Sequence, residues 1–557
     1  MKLVTANQMR ALEQRADASG NPYAQMMERA GVLSAQALME RFAVRDQNIL
    51  VLVGPGNNGG DGLVCARVLH DNGARIALYV WRRVPAQNDV NWELCMQRAI
   101  PYTRVEDDSA FVKLKSELAR THCLIDALLG TGVARPIEGT LKDLLRVVRA
   151  ELDAKTARAQ NLHRITPTRQ HSSAPTLQRP LVVAIDLPTG LHPDTGALDP
   201  AALSADLTVT FAFPKIGQFA FPGAEAVGEL VVADIDIPEA WANDVDLDVA
   251  AADEMRARLP ARPRNANKGT FGKIILACGS TQFTGAPILA AHAAGRVGAG
   301  LTTLALPETL QPVLATKIDE ATFLPLPDRL GDWRPRAANE LLATIWDNEY
   351  DALLVGCGLG TSEGARDFLG RLLGNFNTLE NPPTLILDAD ALNLLAAIPE
   401  WWNVFALNAP PILTPHPGEM ARLLGTDVAH VQNHRVHAAR DAARQWRALV
   451  VLKGAFTVIA APDGRVTLMP FANSALATAG TGDVLAGAIA GFAAQLHAAA
   501  RRAAQLDALQ IAYDAARLGA YIHALAGEIA AREIGNAGVV ASDLLPRLPQ
   551  ARRGLET

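Results

Sequence analysis

NILVLVGPGNNGGDGLVCARVLHDNGARIALYVW, residues 48–81, outlines a fold by itself. It opens on an apolar run (48–54) with no polar alternation, passes a glycine-rich turn, and continues as DGLVCARVLHDNG (61–73), helical in pattern. A second apolar run, ARIALYVW (74–81), closes it. Continuous Val/Ile/Leu runs suit strands covered on both faces, and a helical link between two of them makes the strands parallel. THCLIDALLG (121–130), LVVAIDLPTG (181–190) and ADLTVTFAF (205–213) repeat the signal. The expectation is a Rossmann-like parallel sheet sandwiched between helices.

Two stretches interrupt this rhythm. Residues 151–180, rich in Ser, Thr, Gln, Arg and Pro, read as a polar surface insertion between a helix and the next strand. The acidic, Pro-bearing 234–262 reads as a linker, with a first domain over 1–245 and a second over 250–557. The second half alternates again: GKIILACGS (272–280), LTTLALP (301–307), DALLVGCGLG (351–360), PTLILDADAL (383–392), PPILTPHPGE (410–419) and ALVVLKGAFTVIAAPDG (448–464). A chain of 557 residues exceeds one ordinary core, so two α/β domains are expected.

Composition narrows the function. With 49% hydrophobic and 20% charged residues the chain is globular rather than disordered, and a net charge of −6 gives no sign of a nucleic-acid surface. Five cysteines without a CxxC read as buried free thiols in a reducing cytoplasm. The opening MKLVTANQMRALEQRA lacks the apolar core of a signal peptide. VLAGAIAGFAAQLHAAA (484–500) is uncharged, but at ~1.5 Å per residue it falls short of a ~30 Å hydrocarbon core. It reads as a helix buried in protein, and no membrane association is expected.

In GPGNNGGDG (54–62), glycines between strand and helix let backbone amides approach an anion, with Asp61 placed to cap the helix. Asn57 and Asn58 add amide donors and acceptors. LIDALLGTGVARP (124–136) and VAIDLPTG (183–190) bring Asp126, Asp186 and Thr189 to strand ends, where open α/β sheets hold their ligands. Asn58, Asp126 and Thr189 offer hard oxygens suited to an alkali or alkaline-earth cation rather than zinc.

NNGGDG, GTGVARP and DLPTG, in that order over roughly residues 1–240, resemble the epimerase domain of the NAD(P)H-hydrate repair enzymes. The resemblance implies hydrated NADH or NADPH at Asn57, Asn58, Gly59, Gly60 and Asp61, and at Gly130, Thr131, Gly132, Val133, Ala134, Arg135 and Pro136. It also implies K+ on Asn58, Asp126 and Thr189, with Asp186 at the substrate as the candidate for proton handling. The family's last motif has serine where Thr189 stands, and the hydroxyl survives the exchange.

ATAGTGDVLAGAIAG (477–491) sets Gly480, Thr481 and Gly482 ahead of a helix, with Asp483 next in line. Successive amides there would face a phosphate, while Asp483 positions a hydroxyl. TPHPGEMARLLG (414–425) offers His416 and Glu419, and LDADALNLL (387–395) offers Asp388 and Asp390. Together TGAPILAA, GCGLG, TPHPGE, KGAFT and GTGD are similar, in order over about 250–557, to the dehydratase domain of the same repair enzymes, which is ribokinase-like.

That similarity implies adenine-nucleotide contacts at Lys453, Gly454, Ala455, Phe456, Thr457 and Gly482, and hydrate contacts at Ala286, Gly360, His416 and Asp483. ADP or ATP with Mg2+ is the implied co-substrate, and a homo-oligomer is expected. The competing expectation is a kinase of a vitamin precursor fused to a non-catalytic nucleotide-binding module.

Overall fold

A computed structural model describes residues 1–83, 89–132, 136–159 and 179–556. It separates into two compact units, Met1–Val245 and Asp246–Thr557.

Among the described residues the first unit carries seven strands: β1 (Asn48–Val53), β2 (Arg75–Val80), β3 (Tyr102–Arg104), β4 (Cys123–Ala127), β5 (Leu181–Ile185), β6 (Leu207–Phe211) and β7 (Glu229–Ala233). Their order is β3-β2-β1-β4-β5-β6-β7, and every pairing is parallel. The chain builds outward from β1 in one direction and then from β4 in the other. The crevice beyond the carboxyl ends of β1 and β4 is therefore the switch point where such sheets bind ligands.

The helix Asn57–Asp71 begins at that crevice, with Gly56 as its N-cap. Asp61 lies inside the helix and does not cap it, contrary to the sequence expectation. The glycines explain the earlier start. A Cβ on Gly59 would sit 2.0 Å from the Gly54 carbonyl oxygen, one on Gly60 2.5 Å from Met27 Sδ, and one on Gly62 2.4 Å from Ala127 Cβ. They let the first helical turns press onto the Gly54 turn, the helix Tyr23–Met39 and β4. The expected insertion at 151–180 also changes, because the helix Gly139–Ala159 carries the chain through its first residues. Leu141, Leu144, Leu145, Val148 and Leu152, spaced as one helical face, are all buried. Residues 160–178 lie outside the described residues.

The second unit contains β8 (Leu247–Val249), β9 (Lys273–Ala277), β10 (Leu301–Pro307), β11 (Thr322–Leu326), β12 (Asp328–Arg329), β13 (Asp332–Trp333) and β14 (Ala352–Val355). β15 (Thr384–Leu387), β16 (Ile412–Leu413), β17 (Leu449–Leu452), β18 (Val458–Ala460) and β19 (Val466–Leu468) follow. The main sheet runs β11-β10-β9-β14-β15-β16-β17-β18-β19-β8, and β12 pairs only with β13. It is parallel from β11 to β17, antiparallel across β17–β18–β19, and parallel again at β8. The run 448–464 is therefore two strands, reversed through positive φ at Gly454 (131°) and Phe456 (50°). β8 joins this sheet ahead of residue 250. A parallel α/β sheet with an antiparallel margin agrees with the ribokinase-like expectation.

The apolar segment forms the helix Thr481–Arg502, and 72% of its most apolar window is buried inside the protein. Gly487 and Gly491 press against the helix Gly285–Arg296, where a Cβ on Gly487 would lie 2.2 Å from the Ala290 carbonyl oxygen. Gly487→Ala gains up to ~1 kcal/mol of helix propensity but forces the two backbones apart. We expect a net loss of about 1–3 kcal/mol, read as a lower urea midpoint. An unchanged midpoint would show that the helices have room to spare.

Candidate active sites at the carboxyl ends of the strands

In the first unit, Asn58 is buried in the first turn of its helix, and neither Oδ1 nor Nδ2 has a partner among the described residues. Burying both without partners costs several kcal/mol unless something completes them, so the pair marks a ligand position. Gly130 fixes what lies nearby. A Cβ there would stand 3.2 Å from Asp186 Oδ2 and 3.3 Å from Asn58 Cγ. The GTG loop thus passes between Asn58 and Asp186, and the Thr131 amide donates to Asp186 Oδ2 at 3.4 Å. Asp186 itself adopts left-handed backbone (φ 63°), a strained state for a non-glycine residue and common at functional sites.

Asp126 and Thr189 form a second pair. The Thr189 hydroxyl donates to Asp126 Oδ1 at 2.7 Å and its amide to Oδ2 at 2.8 Å. Burial raises the Asp126 carboxyl above its ordinary value, and the Thr189 bonds oppose that rise. The Leu129 amide donates to Thr189 Oγ1 at 3.1 Å, so residues 129 and 130 touch both this pair and Asn58. Carboxylate, hydroxyl and orphaned amide oxygens are hard donors, of the kind that suits an alkali or alkaline-earth cation. Asp61 lies near Asp186 and Glu13, and its carboxyl is held well above the usual range by burial first and by those two carboxyls second. Val133, Ala134 and Arg135 fall outside the described residues.

Sequence reasoning missed Lys215. Its side chain is 1% exposed, with Nζ 2.7 Å from Asp186 Oδ1. The signal was present in ADLTVTFAFPKIGQF (205–219), an apolar run with one cation just beyond the strand.

In the second unit, the helix start Thr481–Asp483 lies by Cys357, Asp388 and Lys453, which follow β14, β15 and β17. Gly480, in left-handed conformation, is the N-cap, and the first intrahelical bond runs from the Val484 amide to the Gly480 carbonyl. The amides of Thr481, Gly482 and Asp483 thus lie at the helix mouth, with the positive end of the helix dipole behind them. Thr481 is buried, while Gly482 and Asp483 are half-exposed. A Cβ on Gly482 would stand 3.4 Å from Lys453 Nζ, so the expected lysine and glycine do meet.

Around Asp483 the polar groups interlock. Cys357, Asp388 and Asp483 have ligand atoms within 4.8 Å of one another. Lys453 Nζ lies 2.7 Å from Asp388 Oδ1 and 3.7 Å from Glu419 Oε2, and the Thr414 hydroxyl donates to Asp388 Oδ1 at 2.6 Å. His416 caps its helix through Nδ1, which accepts the Gly418 amide at 3.0 Å, leaving the neutral ring its proton on Nε2. That Nε2 is 3.4 Å from Glu419 Oε1. Burial, then the nearby Lys453 cation, lowers the His416 pKa and favours the neutral ring.

Gly360 gives its amide to Asp390 Oδ2 at 2.8 Å, and Ala286 packs near Gly358. Gly454 and Ala455 are exposed on the β17–β18 turn with Phe456 and Thr457 half-buried, and the Arg435 guanidinium braces the turn through the Leu452 and Lys453 carbonyls. The thiol of Cys357 and the ammonium already on Asp388 make the Cys357–Asp388–Asp483 group a poor cage for magnesium.

Burial, then the Asp388 charge, pushes the Asp483 pKa up to about 6. A carboxylate poised near neutrality is a better-matched base than one at the ordinary value of ~3.9. Were Asp483 the group that takes a proton in this unit, it would have to be ionised, and turnover would rise with pH through about 6 and fall on the acid side. Glu419, raised to about 7 mainly by burial, titrates nearby. A pH–rate profile in which Glu419→Gln, rather than Asp483→Asn, abolishes the acid limb would contradict this assignment.

Residues 23–217 match the family described as YjeF-related protein N-terminus, and residues 274–550 match NAD(P)H-hydrate dehydratase. The chain is 36% identical to a bifunctional NAD(P)H-hydrate repair enzyme, Nnr, of Moorella thermoacetica, over 100% of this chain and 97% of the relative. It is 33% identical to the Nnr of Thermofilum pendens, again over 100% and 97%. Among solved structures it is 30% identical to the ADP/ATP-dependent NAD(P)H-hydrate dehydratase of Bacillus subtilis, covering 56% of this chain and 99% of that one at a TM-score of 0.45.

Proposed function

The chain belongs to the family of bifunctional NAD(P)H-hydrate repair enzymes, and from that premise we propose which of its residues carry out each reaction. It joins an NAD(P)H-hydrate epimerase domain to an NAD(P)H-hydrate dehydratase domain. The rival reading, a vitamin-precursor kinase fused to an inactive module, is not favoured, because the relatives that match end to end are repair enzymes.

In the dehydratase half we assign Asp483 as the group that aims the hydrate hydroxyl at the terminal phosphate of ADP or ATP and takes its proton. The hydroxyl oxygen bonds to phosphorus as the bond to the departing nucleotide breaks. The phosphate ester then leaves with its C–O electron pair, and loss of a proton from the neighbouring ring carbon restores the dihydropyridine. The amides at Thr481 and Gly482 would bind the transferring group, and Lys453 lies beside them. Magnesium would arrive on the nucleotide phosphates, and once bound it neutralises their charge. His416, Gly360 and Ala286 would line the hydrate, with Gly454, Ala455, Phe456 and Thr457 toward the nucleotide. The observation that carries this reading is a half-exposed carboxylate, raised to about 6, in the first turn of a helix beside a lysine.

In the epimerase half, Asp186 would handle the proton. Asn58, Asp126 and Thr189 would hold potassium, whose fixed charge supports the loop contacts. Asn57, Gly59, Gly60 and Asp61, with Gly130, Thr131, Gly132 and Pro136, would face the nucleotide hydrate. The five buried free thiols support a reducing, cytoplasmic setting.

The test mixes the full chain with racemic NADH hydrate, Mg2+ and ADP or ATP, then follows dihydronicotinamide absorbance and inorganic phosphate together. Recovery of both in equal amounts is expected. A stable phosphorylated product without absorbance recovery would point to a kinase instead.

A further inference from the structure

Lys215 Nζ directs its contacts to three acceptors: Asp186 Oδ1 at 2.7 Å, Thr210 Oγ1 at 2.8 Å and the Phe211 carbonyl at 3.3 Å. Thr210 turns its hydroxyl to the same Asp186 oxygen at 3.2 Å, closing a triangle behind the carboxylate. The backbones are tied as well. The Lys215 amide donates to Gln218 Oε1 at 2.8 Å, and Gln218 Nε2 donates to the Asp186 carbonyl at 3.1 Å. On either side, Val4 donates to the Pro214 carbonyl and accepts from the Ile216 amide.

Burying an ammonium costs several kcal/mol even after relaxation, and an apolar side chain would fill this space without that cost. The lysine is worth keeping only for what its charge does. The bonds to Asp186 from Lys215, Thr210 and Gln218 fall on Oδ1 and the main-chain carbonyl, which leaves Oδ2 facing Gly130 and Thr131 beside the orphaned Asn58 amide. Other charged groups face the pair. Glu13, from the helix Ala6–Ala18, and Asp61, from the helix Asn57–Asp71, both have carboxyls raised by burial; the Lys215 ammonium opposes that rise at both, joined by Arg10 at Glu13 and by Arg83 at Asp61. The ion pair of Lys215 itself is with Asp186.

We infer that Lys215 is a positioning residue of the epimerase: gripping Oδ1, its ammonium fixes the Asp186 carboxylate in place and turns Oδ2 toward the hydrate. This rests on Asp186 being the proton-handling residue, and the experiment separates the two claims. Epimerisation of purified R hydrate is measured on the full chain without nucleotide, with the spontaneous rate subtracted. The variants are Lys215→Met, Lys215→Arg, Asp186→Asn and the Lys215→Met/Asp186→Asn double.

Lys215→Met should lower kcat about 100-fold with KM changed less than about twofold, as expected for a group acting in the chemical step without touching substrate. Lys215→Arg, which restores the cation, should recover about tenfold of that loss. In the Asp186→Asn background, Lys215→Met should cost nothing further, because its effect passes through the carboxylate. Additive losses, or a loss confined to KM, would overturn the inference. If Asp186→Asn alone leaves the rate intact, the Asp186 assignment fails first. Should Lys215→Met not fold, the double variant, which buries two neutral groups, still decides: a rate equal to that of Asp186→Asn supports the inference, and a lower one overturns it.

Discussion

Asp483→Ala is expected to lower dehydratase turnover about 10³-fold while leaving adenine-nucleotide affinity within about threefold, the loss typical of a removed general base. Binding should survive because the amides of Thr481 and Gly482 and the Lys453 side chain do not depend on this carboxylate for their placement. Val484 still bonds to Gly480 to start the helix, and Lys453 is held by Asp388. The uncharged but isosteric Asp483→Asn separates charge from shape. It should be as slow as alanine, and the acid limb of the pH profile near 6 should disappear with it. The measurement is absorbance recovery on S hydrate under saturating ADP or ATP, paired with nucleotide binding by calorimetry. Turnover within tenfold of the parent would mean that some other group takes the hydroxyl proton, and Glu419, raised to about 7, is then the next candidate.

Asp186→Asn should produce the second large effect, a loss of about 10²–10⁴-fold in epimerisation with the dehydratase untouched. The fused chain reports this in one trace. With racemic hydrate and nucleotide, the parent should return all of the dihydronicotinamide in a single fast phase. The variant should return about half quickly and the rest at the spontaneous epimerisation rate, since the dehydratase draws on one epimer. A single full-amplitude fast phase from Asp186→Asn would exclude the residue. Replacing Asp186 also leaves the Lys215 ammonium buried without its anion, so the stability of this variant needs checking. Losing one partner of a buried pair costs about 3–5 kcal/mol.

Much of this was legible in the letters. The stretch 48–81 gave β1, its helix and β2 in parallel order because fully covered strands must be apolar on both faces, and that requirement shows in any window of the chain. Asn58, Asp126, Asp186, Thr189 and Asp483 could be singled out because each stands at or near a strand end or helix start, a position readable from local pattern. Elsewhere local pattern misled. Asp61 looked like a cap, but the close seats of Gly59, Gly60 and Gly62 let the helix begin at Asn57. The run 448–464, apolar over most of its length, reverses at Gly454 and Phe456 into two strands.

The sequence by itself thus determined the two α/β units, the order of their strand–helix repeats and most of the polar groups at the strand ends. Tertiary structure alone decided which of those groups share an environment. Lys215 meets Asp186 across 29 positions of chain, and Lys453 meets Asp388 across 65. The pKa of Asp483 follows from burial and from Asp388, 95 residues away by subtraction of their numbers. Residue types and spacing are local properties. Charge pairing and desolvation depend on through-space distance and on the exclusion of water, and neither exists until the sheet has closed.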